Sequence, residues 1–296
     1  MKVAAVVVTY NRKMLLQENI ESLLNQSKKD VLDVIIIDNA STDGTNEILK
    51  PFAETKKIIY KNTEANLGGA GGFQYGIKYA AENQYDFIWV MDDDCIPQPN
   101  TLEELLNADK KLNHQYGFLS SKVLWKDGNI CAMNVQRKTL TKNVTDFSSK
   151  FVPITMASFV SLFIPLETIR KEGLPIREFF IWTDDWEYTR RISLHRNCYL
   201  VNDSVVVHKS SSNIGANISN DSLNRLDRYD YLYRNDVYLY RREGITGLMY
   251  EVIRLLFHSS KVIVKAPNCK IKRLKKIWGG TLNGISFHPT IEYVKK

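Results

Sequence analysis

The segment Phe87-Ile88-Trp89-Val90-Met91 runs directly into Asp92-Asp93-Asp94, and few junctions leave a chain less freedom. A short apolar run of this kind reads as a buried strand. Three adjacent carboxylates at its end repel one another and cost stability unless a cation neutralises them. Val3–Val8 is a second such run, and Asp33–Asp38 is a third that also closes on an acid. Between them, Leu15 to Gln26 places Leu16, Ile20, Leu23 and Leu24 at helical spacing, and the glycine-rich stretch from Asn66 opens a helix to about Asn83. This alternation over the first 125 residues predicts βαβ units: an α/β fold with a largely parallel sheet flanked by helices. In open sheets of that type the ligand crevice lies beyond the carboxyl ends of the strands, so Asp38 and Asp92–Asp94 are expected to converge there.

Lys57–Lys61 reads as a weaker strand, Gly117–Trp125, Ser158–Ile164 and Cys198–His208 as further strands, and Asp184 to Leu194 as a helix. From Ser222 the composition turns rich in Tyr and Arg. The segment after residue 221 holds 15 Lys/Arg against 6 Asp/Glu, a local +9, whereas the rest is close to neutral. Residues 1–221 are therefore expected to form a catalytic body and 222–296 a basic helical extension. Within the extension, Val252, Leu255, Leu256, Ser259 and Val262–Ile263 share one helical stripe, followed by a cluster of lysines. An apolar stripe flanked by cations suits packing on the catalytic body with a solvated basic face, peripheral attachment to an anionic membrane, or packing in a homo-oligomer. The four cysteines form no C-x-x-C pair, no run is long enough to span a bilayer, and the start of the chain lacks a signal peptide, so a cytoplasmic protein is expected, peripheral on the inner face of the membrane.

The acids define the chemistry. In an extended segment residues i and i+2 share a side, so Asp92 and Asp94 reach one hard divalent cation while Asp93 faces away. Asp38 can accept from a ribose hydroxyl, and the glycines around Ala70 offer backbone N–H groups to an anion. Asp184, Asp185 and Glu187 stand among Phe179, Phe180, Trp182 and Trp186. Partial desolvation by these rings would raise the basicity a general base needs, although a helix N-terminus alone also favours acids. His208 ends a strand, and an imidazole added to two carboxylates suits manganese.

In order, Val7–Arg12 (VVTYNR), Ile37–Gly44 (IDNASTDG), Asn66–Gly69 (NLGG), Met91–Asp94 (MDDD) and Asp184-Asp185-x-Glu187 resemble the GT-A glycosyltransferases of family 2. The similarity covers roughly residues 1–210. NLGGAGGF with WVMDDD looks most like the bacterial galactofuranosyltransferases, with rhamnosyltransferases as near relatives.

The resemblance implies a GT-A, Rossmann-like fold and a UDP-sugar donor, UDP-galactofuranose above all. Thr9, Tyr10, Arg12, Asp38, Asn66, Gly68, Gly69, Asp93, Trp182 and Trp186 would surround the nucleotide sugar. Asp92, Asp94 and His208 would hold Mn2+ or Mg2+. Asp185 would be the base of an inverting transfer to a glycan or lipid-linked acceptor, with Asp184 and Glu187 orienting it. Thr183 stands where the polymerising relatives carry Trp directly before the acid pair. Alternatives are dTDP-rhamnose as donor or a sugar-nucleotide-binding subunit without turnover. A nucleic-acid binder is not expected, since no RNA-binding signature accompanies the Tyr/Arg segment.

Overall fold

All seven residues of β1 (Val3–Thr9) are buried, as required of a strand covered on both faces. A computed structural model describes residues 1–294. β2 (Leu32–Asp38) and β4 (Phe87–Asp92) flank β1 in parallel, and β3 (Ile59–Asn62) continues the parallel series beside β2. Successive β1 residues supply opposite faces. Val6 and Val8 join Ile35, Ile37, Phe73 and Ile77 under α3 (Gly68–Glu82). Ala5 and Val7 join Ile36, Leu16 and Ile20 under α1 (Lys13–Leu24).

Past β4 the sheet becomes mixed. β8 (Leu162–Pro165) is antiparallel to β4, β6 (Leu119–Trp125) is antiparallel to β8, and β9 (Tyr199–His208) is parallel to β6. Two three-residue strands, β5 (Cys95–Pro97) and β7 (Phe151–Pro153), pair antiparallel with β9. Both escape sequence patterning because three residues show no period. The strand expected from Ser158 begins only at Leu162, since Ser161 has a positive φ of 64° that breaks extended structure.

The remaining helices of this unit are α2 (Thr45–Glu54), α4 (Thr101–Lys111), α5 (Leu166–Glu172) and α6 (Asp184–Ser193). The first compact unit comprises residues 1–177 and 185–214 together with the stretch from Ile291. There the backbone N–H of Leu174 donates to the Glu292 carbonyl, and Lys78 and Gln74 donate to the Glu292 carboxylate at 2.6 and 2.5 Å.

The second unit holds residues 178–184 and 215–290. It contains α7 (Arg228–Arg241), α8 (Gly244–Lys265) and α9 (Lys270–Ile285) around Tyr229, Tyr233, Leu255, Val262 and Ile277. Gly280 and Gly284 let α9 approach α7, where an added Cβ would lie 2.8 Å from the carbonyls of Asp230 and Arg234. The stripe expected on α8 is split. Leu255, Ser259 and Val262 are buried, while Val252, Leu256 and Ile263 are exposed. No helix among the described residues is long and apolar enough to cross a membrane.

Candidate active site

Register places three acceptors at one sheet edge. Thr9 aligns with Asp38 across β1 and β2, and Val8 aligns with Asp92 across β1 and β4. β4 stops at Asp92 and the chain turns through Asp93 and Asp94 before β5. The expected extended i, i+2 geometry is thus replaced by a turn, and Asp93 does not face away. It accepts from Thr9 Oγ1 at 2.7 Å and lies 3.3 Å from the Arg12 guanidinium, which also reaches Asp94 Oδ2 at 2.6 Å.

Asp94 and His208 meet because β5 pairs antiparallel with β9, which sets Cys95 opposite His208. His208 Nε2 lies 3.1 Å from Asp94 Oδ1, and one ligand atom each of Asp92, Asp94 and His208 falls within 4.8 Å of the other two. His208 Nδ1 sits 2.7 Å from Asn134 Oδ1. That amide is itself oriented, because its Nδ2 donates to Ser158 Oγ and its Oδ1 also accepts from Cys131 Sγ. An acceptor-only partner assigns the proton to Nδ1 and turns Nε2 toward the carboxylates, the arrangement that a metal-ligating imidazole needs. The residues fit a divalent cation with O and N ligands.

Electrostatics agree with a site built for positive charge. Burial pushes Asp92 up to about 6, with the charge of Asp94 adding to it. Burial likewise takes Asp93 up to about 7 against the pull of Arg12. Burial would raise Asp94 too, but the hydrogen bond and charge of His208 hold it below its ordinary value. For His208 burial acts downward, yet its hydrogen bonds to Asp94 and Cys131 and the nearby carboxylate charges push it up to about 10.

The other expected residues are placed as follows. Both oxygens of Asp38 are engaged, one by the Ser41 N–H at 2.8 Å and one by the Tyr60 hydroxyl at 2.9 Å, so a ribose contact must use their second lone pairs. Asn66 Oδ1 accepts the N–H of Gly68, whose φ is 72°, and so shapes the entry of α3. Gly69 faces open space, but Gly72 does not serve ligand approach: a Cβ there would lie 2.6 Å from Val8, so it lets α3 lie close on the sheet. Tyr10 is exposed.

Glu187 departs from expectation. Its carboxylate is buried and forms a two-point pair with Arg191 at 2.9 and 3.0 Å, while Arg191 also donates to the carbonyls of Glu172 and Leu174. A buried carboxylate needs such a partner, and this one takes up one lone pair on each Glu187 oxygen. The ring of Trp186 carries the Arg137 guanidinium 3.5 Å above its centroid. The Trp186 N–H donates to Asp185 Oδ1 at 2.8 Å, and Thr189 Oγ1 ties the Asp185 carbonyl to Ala157. Ala157 precedes Ser158, so hydrogen bonds connect His208 through Asn134 to the first turn of α6.

Within the second unit, Phe180, Trp182 and Thr183 all have φ near 65°, a costly run for residues with a Cβ. Asn235 secures it by donating through Nδ2 to the carbonyls of Phe179, Ile181 and Trp182. Thr183 Oγ1 donates to Asp236 at 2.6 Å, and Arg254 pairs with Asp236 and Glu251. Trp182 packs edge-on against Tyr229, and Asp184, the first residue of α6, is buried. Neither Asn134 nor Asn235 was among the sequence candidates, because a single amide carries no periodic signal. Asn-Asp in the middle of a Tyr-rich helix is the one hint available.

Residues 4–152 match the family described as Glycosyl transferase family 2. The chain is 30% identical over 202 residues to the galactofuranosyltransferase GlfT1 of Mycolicibacterium smegmatis, covering 64% of this chain and 65% of that protein, so it spans less than two-thirds of that relative. Among solved structures, GalNAc-T7 with UDP, GalNAc and Mn2+ superposes with a TM-score of 0.60 at 14% identity, covering 79% of this chain and 47% of the other. TarS 1-349 of S. aureus in complex with UDP gives 0.55 at 17% identity, covering 97% and 72%.

Proposed function

The chain belongs to glycosyl transferase family 2, and from that premise we propose that it is an inverting galactofuranosyltransferase, transferring the sugar of UDP-galactofuranose to a glycan or lipid-linked acceptor at the membrane's inner face. The observation that carries the reading is the cluster of Asp92, Asp94 and His208 at the sheet edge beside Thr9 and Arg12. The galactofuranosyl group in the name of the Mycolicibacterium smegmatis relative and the UDP held by TarS support the choice of nucleotide sugar.

Asp92, Asp94 and His208 would hold Mn2+ or Mg2+, which when bound offsets negative charge on the departing diphosphate. Arg12 supplies a second cation for the same phosphates, and Thr9 positions Asp93. Asp38, Asn66 and Gly68 line the nucleotide side. Asp185 accepts the proton of the acceptor hydroxyl as that oxygen bonds to the anomeric carbon from the face opposite the diphosphate. The bond from that carbon to the diphosphate breaks and its electron pair leaves with UDP, so the configuration inverts. Asp184 orients the acceptor, while Glu187 is reassigned to holding α6 through Arg191.

A donor panel with short glycoside acceptors, read by mass spectrometry, tests this. Transfer from UDP-galactofuranose that EDTA abolishes is expected, with Asp185→Asn slower by about 10²–10⁴-fold. Transfer from dTDP-rhamnose alone would replace the donor. UDP binding without transfer from any donor would leave a binding subunit.

A further inference from the structure

The apolar side of α8 points outward. Between residues 245 and 264 eleven positions are exposed; nine are large apolar residues and the others are Thr246 and Ser260. Ile245, Met249, Val252, Leu256, Phe257 and Ile263 mark the centre and one flank of this arc. At 100° per residue the exposed apolar positions span about half the helix circumference over a length of about 29 Å. The buried side is by contrast poor in apolar volume, with Gly247, Glu251 and Ser259 beside Leu255 and Val262. An ordinary surface helix is patterned the other way, and a single protein rarely leaves so continuous an apolar patch in water.

α9 repeats the arrangement. Ile271, Trp278, Leu282 and Ile285 recur at three-, four- and seven-residue spacings and are exposed, whereas Gly280 and Gly284 face α7. Residues 244–285 carry eight Lys/Arg and one acid, Glu251, which is already paired with Arg254. Lys265, Lys270, Lys272 and Lys275 are exposed near the ends of the two apolar stripes.

We propose that the outward faces of α8 and α9 form a docking surface for an anionic lipid bilayer, with the apolar arc seated among acyl chains and the lysines on headgroup phosphates. The width of the arc and the charge decide between lipid and a second copy. A helix-helix seam is narrow, whereas this arc covers about half the helix. A second copy of the same face would offer those lysines no acid, since Glu251 is buried and paired with Arg254, whereas headgroup phosphates supply the complementary charge. Among the described residues no helix is long and apolar enough to cross a bilayer, so the proposed attachment lies in the interfacial plane. The inference deepens the reading of a lipid-linked acceptor, but its test contains neither donor nor acceptor.

The 296-residue chain is co-sedimented with vesicles of phosphatidylcholine alone and with vesicles that also contain the anionic lipid phosphatidylglycerol. Binding to the anionic vesicles is expected, weakened by high salt. Leu256→Glu with Val252→Glu should lower it at least about tenfold, with the far-ultraviolet circular dichroism and thermal midpoint unchanged because both sites are exposed. Lys272→Gln with Lys275→Gln should lower binding to anionic vesicles only. Equal sedimentation of wild type and the Glu variant would overturn the proposal. So would a concentration-dependent dimer, seen by analytical ultracentrifugation, that the Glu variant abolishes. Vesicle binding that persists when no tested donor is turned over would sink the proposed transfer alone.

Discussion

Asn134 illustrates how much one amide decides. Its Oδ1 faces His208 Nδ1 at 2.7 Å, and through it Nε2 is turned toward Asp94. Asn134→Ala should therefore weaken Mn2+ binding by about 10–100-fold, measured by titration calorimetry, with the fold retained. Unchanged affinity would remove Asn134 from the support of the site. Glu187 gives the opposite kind of prediction. Glu187→Gln leaves Arg191 buried beside a neutral partner, which should cost about 3–5 kcal/mol in chemical denaturation. A raised acceptor KM with unchanged stability would restore the acceptor role first expected of it. The acids themselves were legible because charge at a strand end is a local signal. Asn134 and Asn235 were not, since remote chain segments bring them in; Arg191 stands only four residues beyond Glu187 on α6, and what the sequence left open there is that the pair would be buried.

At the level of elements, α3 depends on glycines to lie close on the sheet: Gly72, which the sequence suggested was for a ligand, and Gly76 one turn further on. A Cβ on Gly76 would lie 2.4 Å from Val6 Cγ1 on β1. Gly76→Ala should destabilise by about 1–3 kcal/mol despite the better helix propensity of Ala. Adding Val6→Ala should recover part of that loss, and additive losses in the double-mutant cycle would contradict the close contact. On α8, burial and then the charges of Arg254 and Lys261 lower His258 to about 4, and it accepts from the Tyr233 hydroxyl at 3.0 Å as a neutral ring. An unfolded His takes its proton near 6.5, so stability is complete above that pH and is lost as pH falls toward 4, by at most about 1.4 kcal/mol per pH unit. Denaturation at pH 7 and pH 5 should show this slope in the wild type and its disappearance in His258→Gln.

Over the whole molecule, charge is arranged in two opposed ways: carboxylates concentrated at a sheet edge in the first unit, lysines around apolar helices in the second. Mn2+ should raise the thermal midpoint of the wild type, following about 2.7 kcal/mol at a hundredfold excess over Kd, and leave His208→Ala unmoved. An equal rise in both proteins would place the ion elsewhere. Val3–Val8, Asp33–Asp38 and Phe87–Met91 determined strands by themselves, because an unbroken apolar run can satisfy its side chains only inside a covered sheet. The acids that follow such runs were bound to emerge at the edge. Tertiary structure alone decided that a three-residue β5 would carry Asp94 to His208, that the Glu187–Arg191 pair of α6 would be buried, and that α8 would bury Glu251 and expose Leu256. Periodicity determines which residues share a face. Which face is covered depends on the shape and partners offered by elements distant in the chain.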